Sequence, residues 1–103
     1  MKIYNKLIRD KIPEIISAAS KSFDTHIATE EEYTNRLEAK LNEEVSEYLE
    51  DKNLEELADI MEVVFALAKN LGYSEDDLIE KRNEKRDNRG GFDDKIILEK
   101  VYD

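Results

Sequence analysis

Two short acidic patterns stand close together in the sequence, Glu44-Val45-Ser46-Glu47 and Glu56-Leu57-Ala58-Asp59. Residues three apart on a helix share a face, one turn above the other, so each pattern presents a pair of carboxylates. The polar stretch Asp51-Lys52-Asn53 between them is just long enough to reverse direction between two antiparallel helices. Folded that way, Glu44, Glu47, Glu56 and Asp59 converge on one point. Like charges held together repel, so a positive centre is expected among them. Mg²⁺ or Mn²⁺, hard divalent cations that prefer oxygen ligands, suits such a set best. Asp59 is the most telling of the four. It is a weak helix former placed in the apolar run LADIMEVVFALA, where an ionised carboxylate costs on the order of several kcal/mol unless paired or coordinated. Glu56 has a plainer role open to it as well, because it stands where a capping-box glutamate belongs.

The elements that must position these side chains follow from periodicity and caps. Residues 1–8, MKIYNKLI, suit a short strand or an extended arm. Asp10 can cap a first helix that begins near Lys11, holds Pro13 in its first turn and ends around Ser20 to Ser22. Thr29 with Glu32 forms a capping box, which predicts a second helix from Glu30. In it Tyr33, Leu37, Leu41, Val45, Tyr48 and Leu49 recur at three and four as one buried face, with Glu44 at its edge. Asn53 with Glu56 opens a third helix that is apolar almost all round from Leu57 to Ala68, as expected of a central, heavily buried element. Gly72 fits its C-cap. Ser74 with Asp77 opens a fourth helix that is acidic at its start and basic at its end, matching the helix dipole. Gly90-Gly91 ends it, and the tail FDDKIILEKVYD is apolar enough for one strand that pairs with the N-terminal arm. The expected fold is all-α: a small four-helix bundle around an antiparallel helical hairpin, with short extended ends, forming a single domain over residues 1–103.

Composition narrows the chemistry. The net charge is -10, with 41% charged residues, which argues against wholesale binding to a nucleic acid polymer. A small phosphorylated ligand stays open where metal supplies the positive charge. There is no Cys, so thiolate zinc sites and disulfides are excluded, and a reducing cytoplasm is the expected location. No apolar run approaches the ~20 residues of a membrane span, and the first residues lack the apolar core of a signal peptide. His26 is alone, there is no GxxxxGK[ST] loop, and no Ser has a plausible His partner. One basic concentration stands out: Lys81, Arg82, Lys85, Arg86 and Arg89 are five of the sixteen Lys and Arg. Lys81, Lys85 and Asn88 share a face, and Arg82, Arg86 and Arg89 share the neighbouring one. The bland account is a dipole complement laced with salt bridges. The functional account is a clamp for phosphate oxygens opposite metal-bound carboxylates.

The pattern EExxE, a short turn, then ExxD resembles the metal-binding motif of the all-α nucleoside triphosphate pyrophosphohydrolases, the MazG-like and phosphoribosyl-ATP pyrophosphohydrolase-like family. Here it reads Glu43-Glu44-Val45-Ser46-Glu47 and Glu56-Leu57-Ala58-Asp59. The opening Tyr4-Asn5-Lys6-Leu7-Ile8-Arg9-Asp10-Lys11-Ile12-Pro13 and the closing Arg89-Gly90-Gly91-Phe92 are similar to the ends of its small single-module branch. The resemblance implies Mg²⁺-dependent cleavage of a nucleoside triphosphate between the α and β phosphates, with Mn²⁺ as a substitute. It implies Glu44, Glu47, Glu56 and Asp59 as metal ligands, with Glu43 alongside. Glu47, with Glu44 beside it, is the expected proton acceptor; Lys81, Lys85, Asn88 and Arg89 hold phosphates, and Arg9 and Lys11 close over the nucleotide. It also implies a homodimer or homotetramer. Two other functions fit the same residues: a phosphoribosyl-ATP hydrolase of histidine biosynthesis, and a non-catalytic helical module that binds metal or nucleotide.

Overall fold

Two long helices pack against each other, and the rest of the chain hangs from that pair. A computed structural model describes residues 1–103. It holds four helices and no strand: α1 (Ile12–Ala18), α2 (Glu30–Asp51), α3 (Leu54–Asn70) and α4 (Glu75–Arg89). The all-α expectation holds. Neither chain end forms a strand, so the expected pairing between tail and N-terminal arm is not made. Apolar side chains stay exposed at both ends, Ile3 at one and Ile96, Ile97 and Leu98 at the other.

The caps explain most boundaries. Thr29 accepts from the Glu32 N–H at 3.2 Å, and the Glu32 carboxylate turns away to His26 Nε2 at 3.0 Å instead of completing the box. Asn53 Oδ1 accepts from the Glu56 N–H at 2.9 Å, and at Ser74 and Asp77 both capping-box bonds are made. Gly72, at φ +96°, ends α3 in a left-handed turn: the Tyr73 N–H returns to the Ala68 carbonyl and its own N–H to Lys69. Ser20, at φ +59°, ends α1 the same way, and the helix stops at Ala18, two to four residues earlier than expected. Asp10 does not cap α1. Lys11 occupies the cap position without a side-chain bond, which leaves Asp10 one residue too early to reach the free N–H groups.

α2 and α3 form an antiparallel hairpin. Lys52 reverses the chain in the left-handed region, at φ +50°, and donates its N–H to the Tyr48 carbonyl at 2.7 Å. At the far end Asn70 Nδ2 donates to Thr34 Oγ1 at 2.8 Å, bringing the end of α3 to the start of α2. Leu37, Val63 and Ala68 are the buried apolar residues. α4 packs on α3, whereas α1 packs on none of the other helices.

Two expected buried faces are open within one chain. Val45 and Leu49 are exposed, because the row facing α3 runs Leu37, Leu41, Glu44 and Tyr48 and they turn to its flank. α3 is not heavily buried either: Leu54, Leu57 and Met61 are 81%, 46% and 55% exposed on the side that α2 does not cover. The radius of gyration, 18.2 Å, exceeds the roughly 13 Å of a compact chain this long. A single copy therefore leaves apolar helix faces uncovered.

Candidate metal centre

The site is built at the turn end of the hairpin. α2 supplies Glu43, Glu44 and Glu47 from its last turns; α3 supplies Glu56 and Asp59 from its first two. Because Lys52 reverses the chain in so few residues, the two acidic pairs face each other at the same level. One carboxylate oxygen from each of Glu44, Glu47, Glu56 and Asp59 lies within 4.8 Å of all the others. The structure thus brings together the four residues that the sequence singled out.

Burial within the set is uneven, and not as expected. Asp59 keeps a third of its side chain exposed, while Glu44 is the buried member at 6%. Lys40 Nζ, itself largely buried, sits 3.5 Å from Glu44 Oε1. Glu44 Oε2 is buried with no hydrogen-bond partner, and so is Glu56 Oε2. A buried acceptor left unpaired is costly, and a bound cation at Glu44 would offset that cost. Burial pushes the Glu44 carboxyl above the ordinary glutamate range, and the neighbouring Glu47 pushes it the same way. Glu56 is also raised, by desolvation first and then by the Asp59 and Asp51 charges. Its capping role proves partial: the Glu56 N–H is capped, but its carboxylate is turned to the cluster rather than back to Asn53.

Cations reach two of the four. Arg9 Nη2 lies 2.7 Å from Asp59 Oδ1, and Lys40 touches Glu44. Glu47 and Glu56 have no cationic partner. Glu43 stands beside the set rather than in it, bound to Lys6 Nζ at 3.0 Å and to Lys40 at 3.4 Å. The Lys6 hydrogen bond holds the Glu43 carboxyl below its usual range, against the opposing effect of burial. Glu43 raises Lys6 in turn.

Lys40 and Lys6 are the residues that reading the sequence for chemistry passed over. Lys40 had a signal, since it lies three and four residues before Glu43 and Glu44 on one helix. Lys6 had none, because its partner is 37 positions away. Of the expected phosphate-binding residues, only Arg9 touches the cluster. Lys11 stands exposed at the start of α1. On α4, Lys81 pairs with Glu84 at 3.1 Å, while Lys85 and Arg89 carry no ion pair and Asn88 is exposed. Arg86 and Arg89 lie in the last turn of α4 and Lys81 has its ion pair, so the dipole-and-salt-bridge account fits this basic run in part. A shallow groove beside Arg89 is lined by residues 89–97 alone, a curl of the tail.

No family model matches the chain, and neither a curated protein nor a solved structure is significantly similar to it. No helix is long and apolar enough to cross a membrane.

Proposed function

We propose that the protein is a Mg²⁺-dependent nucleoside triphosphate pyrophosphohydrolase that cleaves the α–β phosphate bond and releases a nucleoside monophosphate and pyrophosphate, in a house-cleaning role. The observation that carries this reading is the convergence of four carboxylates, one of which, Glu44, is buried with an unpartnered oxygen. That donor set, all oxygen and strongly anionic, fits a hard divalent cation. The sequence resemblance to the all-α pyrophosphohydrolases supports the same reading. Glu44, Glu47, Glu56 and Asp59 would hold the metal, with Mn²⁺ as a substitute. When bound, it supplies charge for the phosphate oxygens and a more acidic water. Glu47 has no cationic partner, which leaves its carboxylate free to accept a proton. Lys85, Arg89, Lys81 and Asn88 on α4, with Lys11 and Arg9 from the opening, hold the remaining phosphates.

The working unit in this proposal is a homodimer or homotetramer. The exposed face Leu54, Leu57 and Met61 supports it, as an apolar stripe that a second copy would cover.

A second reading has one observation in its favour. Arg9 on Asp59 supplies part of the missing positive charge from within the chain, as suits a non-catalytic module. Pyrophosphate release from a panel of ribo-, deoxyribo- and damaged nucleoside triphosphates plus phosphoribosyl-ATP, with Mg²⁺, Mn²⁺ or EDTA, separates the readings. Metal-dependent release that falls at least about a hundredfold in Glu47→Gln establishes the enzyme. A preference for phosphoribosyl-ATP shifts the substrate to histidine biosynthesis, and metal-dependent nucleotide binding without turnover favours the non-catalytic module.

A further inference from the structure

The N-terminal arm ends against the carboxylate cluster, and three contacts hold it there. Lys6 pairs with Glu43 at 3.0 Å, the Arg36 guanidinium donates to the Asn5 carbonyl, and Arg9 pairs with Asp59 at 2.7 Å. The first two bind α2 at residues outside the cluster. Only Arg9 touches one of the four carboxylates. Its backbone is fixed separately, since its carbonyl accepts the Ile12 N–H at 3.1 Å as α1 begins. Its side chain is more than half exposed.

A guanidinium keeps its charge throughout the accessible pH range. It therefore neutralises Asp59 whenever no other cation does. A divalent ion held by Glu44, Glu47, Glu56 and Asp59 would compete for the same Asp59 oxygens and repel the guanidinium. Once displaced, Arg9 stands beside the centre with a donor fork that matches phosphate or carboxylate oxygens.

Resting on the metal-centre reading above, we propose that Arg9 is an internal counter-ion of the carboxylate cluster, displaced from Asp59 by the incoming divalent cation and thereby released to bind an anionic group of the ligand. Lys6 and Arg36 hold the arm in place while this exchange occurs, so the arm works as a fixed post with a moving side chain.

The test follows the Arg9 Nη–H resonance of the full chain by NMR at low temperature, beside Mn²⁺ affinities of the wild type and Arg9→Gln. Saturating Mg²⁺ is expected to move that resonance to a solvent-exposed position, and inorganic pyrophosphate added with Mg²⁺ to return it to a bound one. Removing a half-exposed ion pair worth about 0.2–1 kcal/mol should tighten Mn²⁺ binding in Arg9→Gln by roughly 1.5- to 5-fold. An Arg9 resonance unmoved by saturating Mg²⁺, or Mn²⁺ affinity equal or weaker in Arg9→Gln, overturns the counter-ion role while leaving the metal centre intact. A resonance that moves with Mg²⁺ but ignores pyrophosphate overturns the second half of the proposal. Absence of metal binding in the wild type overturns the metal centre and the counter-ion role together. The resonance is read on the wild type, so the proposal stays testable even where Arg9→Gln folds poorly.

Discussion

The two ends of the α2/α3 hairpin are built on opposite terms. At the open end, Leu37 is 2% exposed, Ala68 is buried, and Thr34 and Asn70 share a hydrogen bond. At the turn end, the most buried residue is Glu44, with an unpartnered oxygen among three further carboxylates. One end gains stability from what it buries; the other loses it. The divalent cation proposed for this end would relieve that repulsion.

The largest break in this contrast is expected at the open end. Leu37→Ala should destabilise the protein by about 2–4 kcal/mol, measured by urea unfolding, because it opens a cavity in the small buried core. At the turn end the sign should reverse. Glu44→Gln is expected to raise the melting temperature of the metal-free protein and to abolish the stabilisation that Mg²⁺ gives the wild type. The same end sets the pH response. Glu44 and Glu56 are raised above the ordinary glutamate range, so the folded state holds protons that the unfolded state has released. Metal-free stability should therefore rise as pH falls from neutral towards that range, and saturating Mg²⁺ should remove the rise. Glu43, held low by Lys6, opposes this only further down: its contribution is present above the ordinary glutamate range and lost as pH falls through its lowered value. Thermal melts at stepped pH, with and without metal, check both signs.

The sharpest small test lies between the two helices. Lys52 adopts a left-handed conformation that costs a side-chain-bearing residue roughly 1 kcal/mol. Lys52→Gly should stabilise the hairpin by a few tenths to about 1 kcal/mol without altering metal affinity. A change in affinity would mean that the turn itself tunes the site.

Much of the hairpin was legible because its signals are local. Thr29, Asn53 and Ser74 mark helix starts by the N–H groups they satisfy within three residues, and the two acidic patterns needed only a reversal between them. What the sequence hid is long-range. Nothing near Lys6 or Arg9 announces that they reach Glu43 and Asp59. The burial of Asp59 was overestimated because its apolar neighbours imply a covered helix, whereas within one chain only part of α3 is covered. Glu44 lay in the row of Leu41 and Tyr48, and that row faces α3 squarely. The apolar tail suggested a strand, but a strand needs a partner edge, and the N-terminal arm is already committed to α2 through Lys6 and Asn5.

The proposed function stands on Glu44, Glu47, Glu56 and Asp59 acting as one divalent-metal centre. Titration of Mn²⁺ followed by electron paramagnetic resonance, on the wild type and Glu47→Gln, tests it most directly. The account predicts a saturable site in the wild type that Mg²⁺ displaces and that Glu47→Gln weakens at least about tenfold. No saturable binding in the wild type, or equal affinity in both proteins, would contradict it.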